Sequence, residues 1–543
     1  MYIFFSEIQT DGEEQKEEQV DATIAAHERH WQIIDGVYVD PNSNLRYTHE
    51  ARLKWQLIEA ITNWEHRTLS SYFYLCFPMQ YVAKILQFTN ANIESRNLNY
   101  QEVSIGELFR WIGIKLMTVI EPRKGGISSY WSTTIDNETG YGPGHYFERF
   151  LMSKNRFEVI LNNISFGPAK DPMTNGDCDP WFPIRGLIDA FNYRMAESLE
   201  PGPQLCVDEC MSSWKGMSSE IAGIFGVPHV TKIARKPEGV GTELKSIADG
   251  STGALLRLDI MEGKRRNSQK EFANFGAGTA QVLRLSKNYF GSGRLIIGDS
   301  AFSSVKTCLE CKARGLFYAG VVKSAHKQFP KAYLTNWLEN HKGRNNRGKF
   351  ILMRTTEPAK DTIPQQEIFA LGWSDKKGKQ FIFNSGTTLD GNPSVRKRHR
   401  SEWNDERHQY EFKTYEKVVN RPKIVEDIFK SFSVIDIHDH LRQGSLAIER
   451  QWNTNKWPLR LFQTVLGMII TNAYLLMRYE YRIHRHGFDQ DQIEFPEFLG
   501  KLARQLIFNV YLEDRVKLRN RLVFNPEEQI REVYRFEFLQ IPC

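Results

Sequence analysis

Cysteine is scarce in this chain. Seven are scattered over 543 residues, at 76, 178, 206, 210, 308, 311 and 543, which excludes a disulfide framework and fits a reducing compartment. The close pairs Cys206/Cys210 and Cys308/Cys311 have no matching Cys or His pair at finger spacing, so they read as small apolar filler, and no structural zinc is expected. An apolar run long enough to span a bilayer is missing too. The longest, Leu461 to Met477, is interrupted by Gln463, Thr464, Thr471 and Asn472 and reads as a buried core helix, with no membrane partner expected. Met1-Tyr-Ile-Phe-Phe5 is too short for a signal peptide and runs into acids, so secretion is not expected. Internal repeats and low-complexity tracts do not occur, which excludes a repeat array.

What is present is material for several cores. At this length, 41% apolar and 12% aromatic residues suffice for two or three. The net charge of +6 says less than its distribution. Residues 1–21 carry −6, leaving +12 for the remainder, and residues 340–423 hold 18 Lys/Arg against 10 Asp/Glu. That basic stretch reads either as a surface facing phosphates or as a solvated loop.

The chain divides by texture. Residues 1–45 read as a mobile acidic tail with turn formers at Asp40-Pro-Asn-Ser-Asn44. Helical patterns fill 46–203: a capping-box signal at Ser104-Ile-Gly-Glu107, helices at Arg156–Ile164 and Ile184–Leu199, and a stop at Pro201-Gly202-Pro203. From 204 to 325 the order is strands at 204–208, 244–248 and 255–261, a helical stretch at 268–287, a strand at 294–298, a helix at 303–314 and a strand at 317–322. That is the order of an α/β, RNase H-like mixed sheet. Residues 326–425 read as a basic insertion, with hairpin signals at Phe369–Trp373 and Gln380–Asn384 and the run Arg396-Lys-Arg-His-Arg400. Residues 426–480 complete the core, and 481–543 form a helical C-terminal segment.

Three aspartates carry the chemistry. Asp208 and Asp299 each end an apolar, β-prone run, which puts a carboxylate at the lip of a sheet. Asp436 and Asp439 lie three apart in a helical stretch and share one side of it. Singly, each acid reads as a cap or turn residue. Together, two strand-end acids and a helix acid can converge on hard divalent cations and hold a phosphate ester. Glu209 points to the opposite strand face, behind the metal site or structural. His438 and His440 flank Asp439 and read as near-site, phosphate-facing or simply solvated.

Ordered landmarks add to these acids: Tyr130-Trp-Ser132, Asn155-Arg-Phe157 with Phe166, Val207-Asp-Glu209 with Lys215-Gly216, Lys236-Pro237 with Gly241, Asp299 with Ser303-Ser304, Trp373-Ser-Asp375, Arg421-Pro422, Val434 to Asp439, and Trp457 to Phe462. In this order they resemble piggyBac-type transposases over about residues 65–480. The resemblance implies Asp208, Asp299 and Asp436 as the catalytic acids of an RNase H-like fold, binding two Mg2+ or Mn2+ ions, with Asp439 as a further acid that assists the metal site. It also implies a DNA nick, a hairpin intermediate, insertion at TTAA, double-stranded DNA and a second copy of the chain as partners, and a nuclear location. Departures are visible. The cysteine-rich zinc module that often ends family members is missing after Met477, Ser300-Ala301 replaces an asparagine and aromatic pair, and Ser433-Val434 replaces a glycine pair.

For DNA contact the candidates are Lys215, Lys232, Lys236, Lys245, Arg450 and the cluster Arg396, Lys397, Arg398 and Arg400; that cluster reads equally as a nuclear-import signal. Trp457 reads as core, Trp452 as a ring to stack on a flipped base. The first reading is a metal-dependent transposase, active or domesticated. The alternatives are a non-catalytic DNA- or chromatin-binding protein on the same scaffold, and a plain nuclease.

Overall fold

A computed structural model describes residues 30–512, apart from 56–66, 97–100, 136, 138–139, 141, 169–178, 219–225, 235, 237, 324–327, 361–362 and 485–492. The acidic stretch 1–21, Cys178, Pro237 and Cys543 lie outside the described residues.

A ten-stranded mixed sheet organises the molecule. In chain order its strands are β1 (Gln32–Ile33), β2 (Gln204–Ser213), β3 (Thr231–Lys232), β4 (Val240–Asp249), β5 (Leu255–Ile260), β6 (Leu295–Gly298), β7 (Phe317–Val322), β8 (Phe350–Glu357), β9 (Gln366–Trp373) and β10 (Lys379–Phe383). β2, β4 and β5 form an antiparallel meander, and β6 and then β7 add parallel to β2. This is the RNase H-like arrangement. All five of its expected strands are present, β2 and β4 running longer than their apolar cores.

The same sheet corrects the expected division of the chain. Residues 326–425 do not stand apart as one insertion. β10 pairs antiparallel with β7, and β9 and β8 follow, so the predicted hairpin at 369–384 extends the core sheet. Only β11 (Ser394–Asn404) and β12 (Gln409–Val419) leave it, as a separate ribbon. The tail is corrected as well. Residues 30–45 are docked: β1 pairs with β8, Val39 bridges Thr387, and Trp31 Nε1 donates to the Gln328 carbonyl at 2.9 Å.

Alternation along the strands feeds two cores. Leu295 and Ile297 of β6 point to one face with Phe317 and Ala319, where helix α9 (Lys423–Ser431) covers them with Ile424, Val425 and Ile428. Ile296 and Tyr318 point to the other face and join the main core. There the expected core helix, α12 (Trp457–His484), is buried almost throughout. On it pack α1 (Leu69–Cys76) and α5 (Phe182–Ser198) of the N-terminal half, while α3 (Ile105–Ile120) and α4 (Lys154–Asn163) extend the same core. Ser104 caps α3 by accepting from the Glu107 N–H. α7 (Val305–Ala313) buries Cys308 and Cys311 completely, and Cys206 and Cys210 are buried on β2, so both pairs are core filler.

Candidate active site

Parallel pairing of β2 with β6 sets two of the acids side by side. The last register pair is Val207 with Gly298, so Asp208 and Asp299 follow at the same level of adjacent strands. The third comes from α10 (Val434–His440), which packs across β2 and carries Asp436 in its first turn. Cys206 is pushed well above the ordinary thiol range, first by burial and then by the charges of Asp208, Asp436 and Asp299. Its Sγ lies 3.7 Å from the Phe432 carbonyl just before α10.

Asp299 is the best-defined of the three. It accepts from the Ser300 N–H, and Lys323, at the end of the neighbouring strand β7, places Nζ 3.3 Å from Oδ1. Burial works to raise its pKa, but the Ser300 amide and the Lys323 ammonium outweigh that and hold it below the usual carboxylate value. The loop behind it is fixed by Ser303, whose Oγ donates to the Asp299 carbonyl at 2.8 Å. The donor set is all carboxylate oxygen, the kind hard divalent cations select, and the ammonium on Asp299 supplies positive charge in the same place. Among the described residues, however, no three His, Cys, Asp or Glu side chains form a closed metal-holding group.

Asp439 sits elsewhere than expected of a fourth ligand. It is buried beside Cys210, with Oδ1 3.1 Å from Arg442 Nη2 and Oδ2 3.5 Å from Lys236 Nζ. Both oxygens are thus in ion pairs. Arg442 is itself fully buried; it donates to the Met211 carbonyl at 3.0 Å and pairs with Glu449. Lys236 donates to the Glu209 carbonyl at 2.5 Å. Asp439 therefore anchors α10 to β2 through two cations, an electrostatic clamp that costs several kcal/mol to break from one side, of order ~3–5. His438 is not phosphate-facing. It is completely buried, its Nε2 lies 3.1 Å from Asn472 Oδ1 of α12, and burial pushes its pKa down to about 4. His440 is exposed.

The basic candidates separate. Lys215, Lys232 and Arg450 are exposed, and Arg450 lies 3.4 Å from Glu238. Lys215 and Arg450 share a cleft of about 910 Å³ with Trp214, Glu238, Arg442 and Arg460, beginning where β2 ends. Lys245 is buried against Glu243 at 2.5 Å, which removes it as a phosphate contact. Trp452 is also removed as a stacking ring: it is buried and its Nε1 donates to the Lys115 carbonyl at 3.1 Å. Trp457 packs edge-on against Trp181 in the core, as expected. Arg396, Lys397, Arg398 and Arg400 all lie on the ribbon, away from the acids' strands.

Sequence reasoning missed Lys323, Arg442 and Asn472. Lys323 had a signal, a lone cation directly after the β7 apolar run, but its relation to Asp299 depends on β7 lying next to β6. Asn472 accepts from the Leu255 N–H and donates to its carbonyl, tying α12 to β5 as well as to His438. In the sequence it is only an interruption of an apolar run.

On this RNase H-like sheet Asp208 lies inside β2, not at its end as expected, level with Asp299 just after β6 and with α10 packed across β2. The chain belongs to the Transposase IS4 family, whose model matches residues 69–474. Its fold is that of a solved piggyBac transposase, a synaptic complex with hairpin DNA determined by cryo-EM. That structure is 16% identical, with a TM-score of 0.58, and the match covers 88% of this chain and 85% of that one. No curated protein matches.

Proposed function

We propose that the chain is a piggyBac-type DNA transposase that cuts a DNA strand and joins its 3′ end to a target, with Asp208, Asp299 and Asp436 as ligands of two Mg2+ or Mn2+ ions. The observation that carries this reading is the placement of Asp208 and Asp299 at one level of adjacent parallel strands, with the helix bearing Asp436 packed across β2. Such ions supply a water or 3′-hydroxyl that is easily deprotonated and stabilise the leaving oxygen. The chain's own part is placement. The strand pairing fixes Asp208 and Asp299 at one level, Ser300 and Ser303 fix the loop carrying Asp299, and the Asp439 clamp fixes α10 and hence Asp436. Lys323 and Lys236 lie beside the acids where a phosphate backbone would pass, and Lys215 and Arg450 lie in the cleft beyond. Insertion at TTAA, a hairpin intermediate, action as a homodimer on double-stranded DNA and a nuclear location belong to the same proposal.

A second reading is a DNA- or chromatin-binding protein that retains the scaffold without catalysis. The ion pair of Lys323 with Asp299, which sets an ammonium on one of the three acids, favours it. One experiment separates the two. Wild-type protein with Mg2+ or Mn2+ is expected to nick and join duplex DNA, with Asp299→Asn at less than about one hundredth of that rate and DNA affinity kept. DNA binding without nicking by the wild type would reject the enzyme in favour of the scaffold.

A further inference from the structure

β11 and β12 pair with each other over all eleven residues of each strand, forming a ribbon of about 35 Å at ~3.3 Å per residue. An isolated two-stranded ribbon is marginally stable, and this one is tied down at its root. Arg396 donates to both carboxylate oxygens of Asp375 at 2.9 Å, and Asp390 bridges Pro422.

Cross-strand register sorts the basic run into two faces. Arg396 opposite Lys417, Arg398 opposite Tyr415 and Arg400 opposite Lys413 share one; Lys397 opposite Glu416 and His399 opposite Thr414 share the other. On the second face Lys397 is cancelled by Glu416 at 3.0 Å. On the first, Arg396 is taken by Asp375 and Lys413 lies 3.6 Å from Glu402, while Glu411 is met by Arg407 at 3.2 Å. Among the described residues, Arg398, Arg400 and Lys417 have no acidic partner.

We propose that the ribbon is an arm that grips duplex DNA through the Arg398, Arg400 and Lys417 face alone, with Arg396 as its anchor and Lys397 making no contribution. A two-stranded ribbon matches the major groove, about 12 Å wide. Cations two residues apart on a strand, about 6.6 Å, can meet successive phosphates. Contact through phosphates makes this grip indifferent to base sequence and sensitive to salt. The inference rests on the reading of the chain as a DNA-acting protein.

The test is the affinity of the full chain for a random-sequence duplex across a salt series. The triple variant R398A/R400A/K417A should flatten the slope of log affinity against log salt by about 2.7, at about 0.9 per lost phosphate contact, and K397A should leave it unchanged. If the triple variant does not fold, R398A/R400A should flatten it by about 1.8. A wild-type slope in these variants overturns the arm while leaving the DNA reading in place. An equal loss in K397A overturns the assignment to one face. A wild-type chain that does not bind DNA overturns the DNA reading and the arm with it.

Discussion

Lys115 is a cation in the wrong place for a stable protein. It lies within α3, 7% exposed, with its ammonium 4.3 Å from the Trp452 ring and 6.0 Å from that of Phe157 and, among the described residues, no carboxylate paired to it. Burial pushes its pKa down to about 7. An unfolded lysine stays protonated up to about 10.4. Between those values the unfolded chain holds the extra proton, so stability rises with pH across the window and the penalty is present in full below about 7. A native value of about 7 against about 10.4 unfolded makes this a climb of about 4–5 kcal/mol. Lys115→Met should be more stable than wild type at pH 7, and its denaturation midpoints should lack that climb. Parallel pH profiles for the two proteins would show that the ammonium is not desolvated. Asp299 follows the opposite logic: against its burial, the Ser300 amide and the Lys323 ammonium hold its carboxylate ionised.

At the scale of elements, the strand pair β6 and β7 holds Asp299 in place by having almost no side chain beneath it. Gly298 and Gly320 lie opposite each other in the parallel register. A Cβ on Gly320 would overlap Ser303 Oγ, and one on Gly298 would overlap the Tyr318 hydroxyl. Those two groups lie 3.0 Å apart and brace the loop after Asp299. Gly320→Ala should therefore cost about 1–3 kcal/mol by overpacking and lower nicking more than it lowers DNA affinity, read by denaturant melts alongside cleavage and binding assays. Unchanged cleavage would separate the glycine pair from the site. Much at this scale was legible in the sequence, because the apolar runs at 295–298 and 317–322 and the helix at 303–314 announce themselves by period and length. The interlock of Ser303, Tyr318 and two glycines was not, since each residue alone is compatible with any strand or turn.

For the whole molecule, the main revision concerns where the sheet ends. The segment after β7 continues the sheet through β10, β9 and β8, and the chain's N-terminal part closes it with β1. Tyr38 adds a hydrogen bond of 3.0 Å from its hydroxyl to Glu367 Oε2. Removing residues 1–45 would expose β8 as a sheet edge, a template for aggregation. The truncated protein should lose roughly 3 kcal/mol and several degrees of Tm, with a greater tendency to self-associate. A full-length Tm in the truncated form would mean that this segment only lies on the surface. Polar, turn-rich composition predicted a mobile tail throughout, and for residues 30–45 that fails because a two-residue strand and a few anchored rings leave little mark on composition.

What the sequence determined by itself was local and periodic: the five strands of the RNase H-like core, a core helix over 461–477, Cys206/Cys210 and Cys308/Cys311 as filler, and Asp299 directly after a strand with Asp436 in a helix, whereas Asp208, expected at a strand end, lies inside β2. Tertiary structure decided everything that depends on pairing between distant segments. It set Asp208 level with Asp299, turned Asp439 into an anchor for Lys236 and Arg442, buried Trp452 and Lys245, and split one basic run between two faces of a ribbon. The physical reason is that period and propensity act over a few residues, whereas strand register and ion pairing join groups hundreds of residues apart.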